Sequence, residues 1–236
     1  MCGRYTLTTP SELIADVFGV DPAIELSPRY NIAPTQSVPV VRAQRTQDRQ
    51  LDLLRWGLIP SWARDPAIGN RMINARAETA AEKPSFRSAF RNRRCLVVTD
   101  GFYEWKRLAG SRAKQPCWIH RTDGAPFAFA GLWESWQPSS DSGDGGARQR
   151  TTAVESFTII TTTPNDLMKP IHDRMPVILP AESWDTWLDA DNTDTDGLQA
   201  LLRPSRETGF EARKVGTHVN SPRNDDPGCI APPAET

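Results

Sequence analysis

A chain of 236 residues with 38% apolar and 24% charged side chains can bury a full hydrophobic core, which excludes a disordered acidic tail and a disulfide miniprotein. No run approaches the roughly 18 apolar residues of a membrane-spanning helix, and the N-terminus MCGRYTLTTP lacks the regions of a signal peptide. Four cysteines without a Cys-x-x-Cys pair argue against a zinc ribbon, so we expect a reducing, cytoplasmic compartment.

The charge is unevenly distributed although the net charge is only −1. Residues 1–120 hold 18 Lys and Arg against 11 Asp and Glu, whereas residues 121–236 hold 10 against 18. Such asymmetry indicates either one half that faces an anion or two differently solvated surfaces.

The pattern of apolar residues predicts an α+β fold made of many short strands. The first element is a helix over 10–18, with Thr9 as its N-cap and Pro10 in its first turn. Runs of β-branched and aromatic residues predict strands at 37–41, 51–56, 95–98, 102–105, 117–120, 127–133, 157–162 and 176–179. Further helices are predicted at 85–92, 181–188 and 195–202.

The chain reads as a single domain over 1–236. The stretch 138–150 (PSSDSGDGGARQR) has strands predicted on both sides, so its composition favours a flexible surface loop rather than a domain boundary. The last residues, about 227–236, form a C-terminal tail in this prediction.

Cys2 is the first candidate for chemistry, because removal of Met1 would make it the N-terminal residue. A terminal cysteine carries an α-amine of pKa about 8 beside a thiol of pKa about 8.5. The amine can condense with an aldehyde to a Schiff base and the thiol can close a thiazolidine ring, or the thiol can attack an acyl group. An ordinary buried residue is the alternative.

The segment IGNRMINARAET (68–79) is too polar for a plain core strand. Asn74, Arg76 and Glu78 alternate, which predicts that all three point to one face. An amide and a guanidinium on one face suit an anionic or hydrogen-bonding ligand; a solvated strand face is the alternative.

Two further segments offer acid/base groups. Glu104 lies in DGFYEW (100–105) among aromatic residues, where desolvation would raise its pKa. His172 lies in KPIHDRMPVIL (169–179), where Asp173 or Arg174 could orient it or bind phosphate. The alternative for Glu104 is the wet face of an amphipathic strand.

Basic and aromatic residues are interleaved in two places. Arg87, Arg91 and Arg94 follow helical spacing and could track phosphates or form a solvated face. Trp56 and Trp62 lie in RWGLIPSW (55–62), where an exposed indole could stack on unpaired bases. We expect at least one of these two tryptophans to pack in the core.

Taken together, these segments resemble the SOS-response-associated peptidase (SRAP) family of abasic-site processing proteins. Each motif alone is weak, but seven in the family's order across nearly the whole chain are specific. They are MCGRY (1–5), RYNIAPTQ (29–36), RWGLIPSW (55–62), INARAET (73–79), DGFYEW (100–105), IHDRMPVIL (171–179) and VNSPRNDDPGCI (219–230).

The resemblance implies a single α+β domain of twisted, barrel-like antiparallel sheets that binds abasic sites in single-stranded DNA and cross-links to the sugar aldehyde. It implies a cytoplasmic DNA-damage protein, a monomer without cofactor or metal, which associates with the nucleoid after damage. The implied catalytic residues are Cys2, Asn74, Glu104 and His172. The implied DNA-binding residues are Arg4, Pro34, Trp62, Arg76, Thr161 and Arg174.

Three other functions stay open from the sequence. One is an N-terminal nucleophile amidohydrolase, although the chain has no Asn-Gly pair of the kind used in those oxyanion sites. Another is a cysteine peptidase built on Cys2 and His172, acting at least on Met1. The third is a non-catalytic single-stranded DNA-binding module.

Overall fold

The strands and helices come from a computed structural model that describes residues 2–21, 24–43, 48–138, 152–206 and 208–234. The strands are β1 Tyr5–Leu7, β2 Arg29–Ile32, β3 Ser37–Ala43, β4 Arg49–Trp56, β5 Asn74–Arg76, β6 Arg94–Thr99, β7 Gly101–Arg107, β8 Lys114–Arg121, β9 Phe127–Trp136, β10 Val154–Thr162, β11 Met175–Pro176, β12 Ile178–Leu179 and β13 Phe210–Lys214. The α-helices are α1 Ser11–Phe18, α2 Arg87–Asn92, α3 Trp184–Leu188 and α4 Thr195–Ala200. Short 3-10 turns cover Pro66–Arg71, Ala77–Thr79, Ala181–Ser183, Thr217–Asn220 and Pro227–Ile230.

Five strands close into a barrel in the order β10-β4-β3-β6-β9, because β9 pairs again with β10. All neighbours in this ring are antiparallel except β4 and β10, which run parallel. The short strand β5 also pairs with β10 in parallel. Closure leaves the barrel without a free edge and gives it a continuous interior.

A second, open sheet has the order β13-β8-β7-β1-β2. Strand β6 of the barrel leads through Asp100 directly into β7 of this sheet. β1 pairs with β7 in the register Tyr5↔Phe102, which brings the N-terminus of the chain alongside β7.

Long apolar side chains fill the barrel and the space between the sheets. Trp56, Phe129 and Phe157 are fully buried, and the ring of Tyr5 lies 5.2 Å from that of Trp56. β6 is buried along its whole length, because α3 covers it through the Trp187 indole N–H, which donates to the Cys95 carbonyl at 3.0 Å. Such a strand, covered on both faces, reads as a nearly continuous apolar run.

The eight predicted strand segments are all extended, with 176–179 divided between β11 and β12. The helix predicted over 10–18 is confirmed as α1, but Thr9 is not its N-cap. Pro10 occupies that position without a side-chain cap, and the Thr9 hydroxyl instead donates to Asp100 at 3.1 Å.

The predicted flexible loop lies outside the described residues from 139 to 150. The predicted tail begins with the turn Pro227–Ile230, in which Cys229 is buried, and residues 235–236 lie outside the described part. Within the described residues, no helix is long and apolar enough to cross a membrane.

Candidate active site

Cys2 lies beside β7 and is completely buried. The pairing of β1 with β7 sets its position, since the Tyr103 N–H donates to the Arg4 carbonyl at 3.0 Å. The Asn74 side-chain amide donates to the Cys2 carbonyl at 2.9 Å and so connects this segment to β5. The Cys2 thiol lies 4.0 Å from the Arg4 carbonyl oxygen.

Glu104 extends from β7 into the same buried region and is only 2% exposed. Burial raises the pKa of Glu104, and the nearby His172 opposes that rise. Burial also raises the pKa of the Cys2 thiol, and the charge of Glu104 adds to this effect. Both groups therefore favour their neutral, protonated forms.

His172 faces Glu104 across the site, with its Nε2 3.8 Å from Glu104 Oε2. Its Nδ1 accepts the Arg174 backbone N–H at 3.0 Å and lies 2.9 Å from Asp173 Oδ1. Because Nδ1 accepts the Arg174 backbone N–H, the geometry places a ring proton on Nε2. Such a histidine can hold a proton on the atom that faces Glu104.

Asn74 has a second polar atom that the fold does not use. Its Oδ1 is buried and has no hydrogen-bond partner among the described residues. The amide therefore holds Cys2 with its nitrogen and leaves an acceptor next to the nucleophile. An acceptor in this position suits a substrate hydroxyl or amine.

Arg174 directly precedes β11 and contacts the end of β10, next to the site. Its guanidinium makes two hydrogen bonds to the Glu78 carboxylate, at 2.6 and 2.9 Å, and one to the Thr161 carbonyl at 2.5 Å. Arg76 pairs with Thr161 in the register of β5 and β10, and it is exposed. Two of the predicted DNA-binding arginines are thus neighbours of Thr161.

The other predicted DNA contacts are placed differently. Arg4 donates to Asn31 Oδ1 and to the Val219 carbonyl, both at 3.0 Å, so its guanidinium supports the C-terminal segment. Pro34 is half-buried in the turn between β2 and β3. Trp62 is 58% exposed, whereas Trp56 packs in the core.

Trp62 belongs to a loop at the far end of β10. Its neighbour Ala63 accepts the Trp136 indole N–H at 2.6 Å, and Trp136 pairs with Val154. Val154 precedes Ile159, the β10 partner of Asn74, by five residues, or roughly 16 Å at about 3.3 Å per residue. The Trp62 loop is thus anchored near the start of β10, whereas Asn74, which holds Cys2, pairs further along this strand.

Two interpretations of the sequence are wrong. Arg94 does not share an exposed face with Arg87 and Arg91, because it lies in β6 and its buried guanidinium donates to the Trp187 and Phe90 carbonyls. Glu78 does not continue the alternation of Asn74 and Arg76, since β5 ends at Arg76 and the chain turns.

The residues that anchor the N- and C-terminal segments are not among the predicted site residues. Asp100 accepts hydrogen bonds from the backbone N–H groups of Thr8 and Thr9, at 2.5 and 2.9 Å. Asn31 reaches three carbonyls of the segment 219–224. These contacts join residues far apart in sequence, so no local pattern indicates them.

One cluster of described residues has donor atoms that could hold a metal. The donors of His218, Asp226 and Cys229 lie within 4.8 Å of one another. His218 Nε2 is 3.0 Å from Asp226 Oδ2, and the Cys229 thiol donates to the Asn224 carbonyl at 3.4 Å. These hydrogen bonds already account for the grouping of the three side chains.

The chain is similar to known proteins of one family. The model of the family described as SOS response associated peptidase (SRAP) matches residues 1–222. A Bacillus subtilis (strain 168) protein named abasic site processing protein YoqW is 46% identical over 233 residues, with coverage of 98% of this chain and 99% of its own. A Xenopus tropicalis protein named abasic site processing protein HMCES is 32% identical over 233 residues, with coverage of 86% and 66%.

Solved structures show the same fold. A crystal structure of a Bacteroides thetaiotaomicron protein has a TM-score of 0.82 at 27% identity and covers 98% of this chain and 99% of that chain. A crystal structure of a phage-related protein from Bordetella bronchiseptica has a TM-score of 0.65 at 31% identity, with coverage of 91% and 94%. The barrel and the open sheet are therefore shared with these proteins.

Proposed function

Because the chain belongs to the SOS response associated peptidase (SRAP) family, we propose that it processes abasic sites in DNA by forming a covalent bond between Cys2 and the damaged sugar. The observation that carries this proposal is the grouping of Cys2 with Asn74 and with the Glu104–His172 pair. The relatives named above as abasic site processing proteins support the choice of substrate.

The first chemical step requires a free α-amine on Cys2, and Met1 blocks that amine while it is attached. An abasic deoxyribose is mostly a closed hemiacetal, and opening its ring exposes the C1′ aldehyde. Opening transfers a proton from the C1′ hydroxyl to the ring oxygen. Glu104 and His172 are the groups placed to carry this proton.

The covalent steps then balance without a cofactor. The amine adds to C1′ to give a carbinolamine, and loss of one water gives a Schiff base. The thiol then adds to the C=N carbon, its proton ends on the nitrogen, and a five-membered thiazolidine closes. Net, one aldehyde and one aminothiol give a thiazolidine and water.

Ring closure also explains how the adduct would protect DNA. A Schiff base at C1′ activates the neighbouring C2′ proton, whose loss leads to β-elimination and strand cleavage. The thiazolidine removes the imine and therefore removes this activation. The raised pKa of the Cys2 thiol fits a reaction in which the S–H proton accompanies the sulfur.

The test is incubation with a single-stranded abasic oligonucleotide, followed by a denaturing gel without reductant. We expect an adduct that survives heat and detergent without borohydride. Cys2→Ala should give at most an imine that borohydride traps. Equally stable adducts from Cys2→Ala would overturn the thiazolidine.

The same assay separates the other functions that the sequence left open. Glutamine and a peptide are supplied as alternative substrates beside the abasic oligonucleotide. Hydrolysis of either one without an adduct would support an amidohydrolase or a peptidase based on Cys2. Tight DNA binding without any covalent product would support a non-catalytic binding module.

A further inference from the structure

A cleft lies next to His172. It has a volume of about 380 Å³ and lies between the β7–β8 hairpin and the segment 169–173. The lining residues are Trp105, Arg107, Lys114, Lys169, Pro170, Ile171, His172 and Asp173. We call it the hairpin cleft. One of the residues that line the hairpin cleft, His172, therefore also belongs to the candidate active site.

The hairpin wall places two like charges opposite each other. Arg107 and Lys114 are direct partners in the antiparallel pairing of β7 with β8. Like charges in this arrangement destabilise a sheet. An anion bound between them would convert this repulsion into attraction, so the pair is suited to an anionic ligand.

The facing wall carries charges of both signs. Lys169 lines the cleft and pairs with Asp166 at 2.7 Å. Asp173 lines it as well, and its carboxylate lies 2.9 Å from His172 Nδ1. The excess of positive charge is therefore concentrated on the hairpin wall, which defines where an anion would bind.

Trp105 adds an aromatic surface to the basic cleft. Its indole N–H donates to Asn220 Oδ1 at 2.8 Å, which fixes the orientation of the ring. An aromatic ring beside cations is the combination that binds single-stranded nucleic acid, because bases stack on the ring while the cations contact phosphates.

We propose that the hairpin cleft binds the nucleotide next to the abasic site in single-stranded DNA. Arg107 and Lys114 contact its phosphate, and its base stacks on Trp105. The inference rests on the proposed function, since that function places the abasic sugar at Cys2 and His172. The hairpin cleft would give the DNA strand a path along the open sheet that the loops of the barrel do not provide.

The test compares two double variants of the full chain. Arg107→Ala/Lys114→Ala removes the opposed pair, whereas Lys83→Ala/Arg203→Ala removes two exposed cations that do not line the cleft. The probe is an undamaged fluorescent single-stranded oligonucleotide, and its dissociation constant is measured across a salt series. Each lost phosphate contact lowers the log–log slope by about 0.7.

We expect the cleft variant to lower the slope by up to about 1.4 if both contacts are lost, and the control variant to leave it unchanged. The unfolding midpoint of the cleft variant in denaturant should not fall, because this variant removes the repulsion between Arg107 and Lys114. An unchanged slope, an equal loss in the control, or a lowered midpoint would overturn the inference.

Trp105 is tested separately with two substitutions. Trp105→Ala should weaken binding by roughly 5- to 150-fold, the range expected for one stacked base. Trp105→Phe loses the bond to Asn220 but keeps an aromatic face, so it should retain most of the affinity. An equal loss in both variants would show that the indole only supports Asn220.

These readouts do not depend on the covalent chemistry. If the unsubstituted protein forms no adduct with an abasic oligonucleotide, the proposed function fails, yet the salt slope still decides whether the cleft binds DNA. If the adduct forms but the slope is unchanged in the cleft variant, only the hairpin cleft is overturned.

Discussion

Burial sets the protonation of the two central side chains. Glu104 is 2% exposed and Cys2 is completely enclosed, so each has a raised pKa. A buried acid beside a neutral thiol suits addition to an aldehyde, in which protons accompany the reacting atoms. It does not suit attack by a preformed thiolate, which requires a lowered thiol pKa.

The first prediction concerns Glu104→Gln. General acid/base catalysis typically contributes about 10²- to 10⁴-fold, so this variant should slow adduct formation by that order while it still binds DNA. If the protonated carboxyl is the active form, the unsubstituted rate falls as pH rises through the raised pKa of Glu104. The variant should lack this limb of the pH profile.

Single-turnover rates at saturating DNA check this expectation, with the exposed Glu182→Gln as control. Stability gives a second readout of the same group. Because the folded-state pKa of Glu104 is raised, the unfolded chain releases this proton first, and the free energy of unfolding falls as pH rises from the ordinary to the raised value. Glu104→Gln should remove this decline in the free energy of unfolding. If Glu104→Gln forms the adduct at the normal rate, the Glu104 carboxylate has only a structural role.

The second prediction concerns His172→Ala. The ring faces Glu104, and a thiazolidine can reopen only if a proton returns to its nitrogen or sulfur. One proton carrier serves both directions, so the variant should form the adduct slowly and also release it slowly. Exchange of preformed adduct with differently tagged fresh protein measures release. Normal exchange would remove His172 from the mechanism.

At the scale of elements, the parallel pairing of β5 with β10 organises the basic side of the site. It sets Arg76 opposite Thr161, while the turn Ala77–Thr79 presents Glu78 to Arg174. The Arg174 bond lowers the pKa of Glu78. The Glu78 carboxylate and the Thr161 carbonyl therefore fix the position of Arg174. Under the proposed function, a DNA phosphate would have to share or displace the Glu78 carboxylate.

The third prediction follows from this arrangement. Arg76→Ala and Arg174→Ala should each weaken noncovalent binding to single-stranded DNA and lower the log–log salt slope by about 0.7. The exposed Arg206→Ala serves as the matched control. Affinity and slope that stay normal in both variants would put the DNA path elsewhere.

Local patterns were sufficient for the elements whose own residues carry the signal. The strand β6 (RCLVVT) and the helix α1 (SELIADVF) were both predicted from apolar patterning within a few residues. β1 has only three residues, and β13 (FEARK) has three charged residues among its five, so neither presents the apolar run from which a strand is predicted. The prediction that Thr9 caps the helix α1 is wrong because the partner of its hydroxyl, Asp100, lies 91 residues away.

The candidate site likewise contains some residues that local sequence patterns predict and others that they do not. Cys2, Glu104 and His172 were chosen from the chemistry of their own segments, and the structure groups them. The opposed cations of the hairpin cleft could not be chosen in this way. Arg107 and Lys114 become neighbours only when β7 pairs with β8 in one particular register.

At the scale of the whole molecule, the C-terminal segment holds the two ends of the chain together. Asn31 is completely buried, and its amide donates to the carbonyls of Val219, Ser221 and Asn224 at 3.2, 2.9 and 2.7 Å. Arg4 donates to the side-chain oxygen of Asn31 and to the Val219 carbonyl, so the segment 219–224 also fixes the strand that follows Cys2.

The last prediction tests this connection with Asn31→Ala. The substitution leaves several buried polar groups without their partner, and each such group typically costs about 1–3 kcal/mol. We expect the free energy of unfolding to fall by at least about 2 kcal/mol, measured by chemical denaturation. The exposed Asn70→Ala, which loses one bond to Arg55, should change it by less than about 0.5 kcal/mol. Since Arg4 also loses one of its two acceptors, the segment containing Cys2 should exchange amide hydrogens faster in Asn31→Ala. Unchanged exchange there would show that the two termini are held independently.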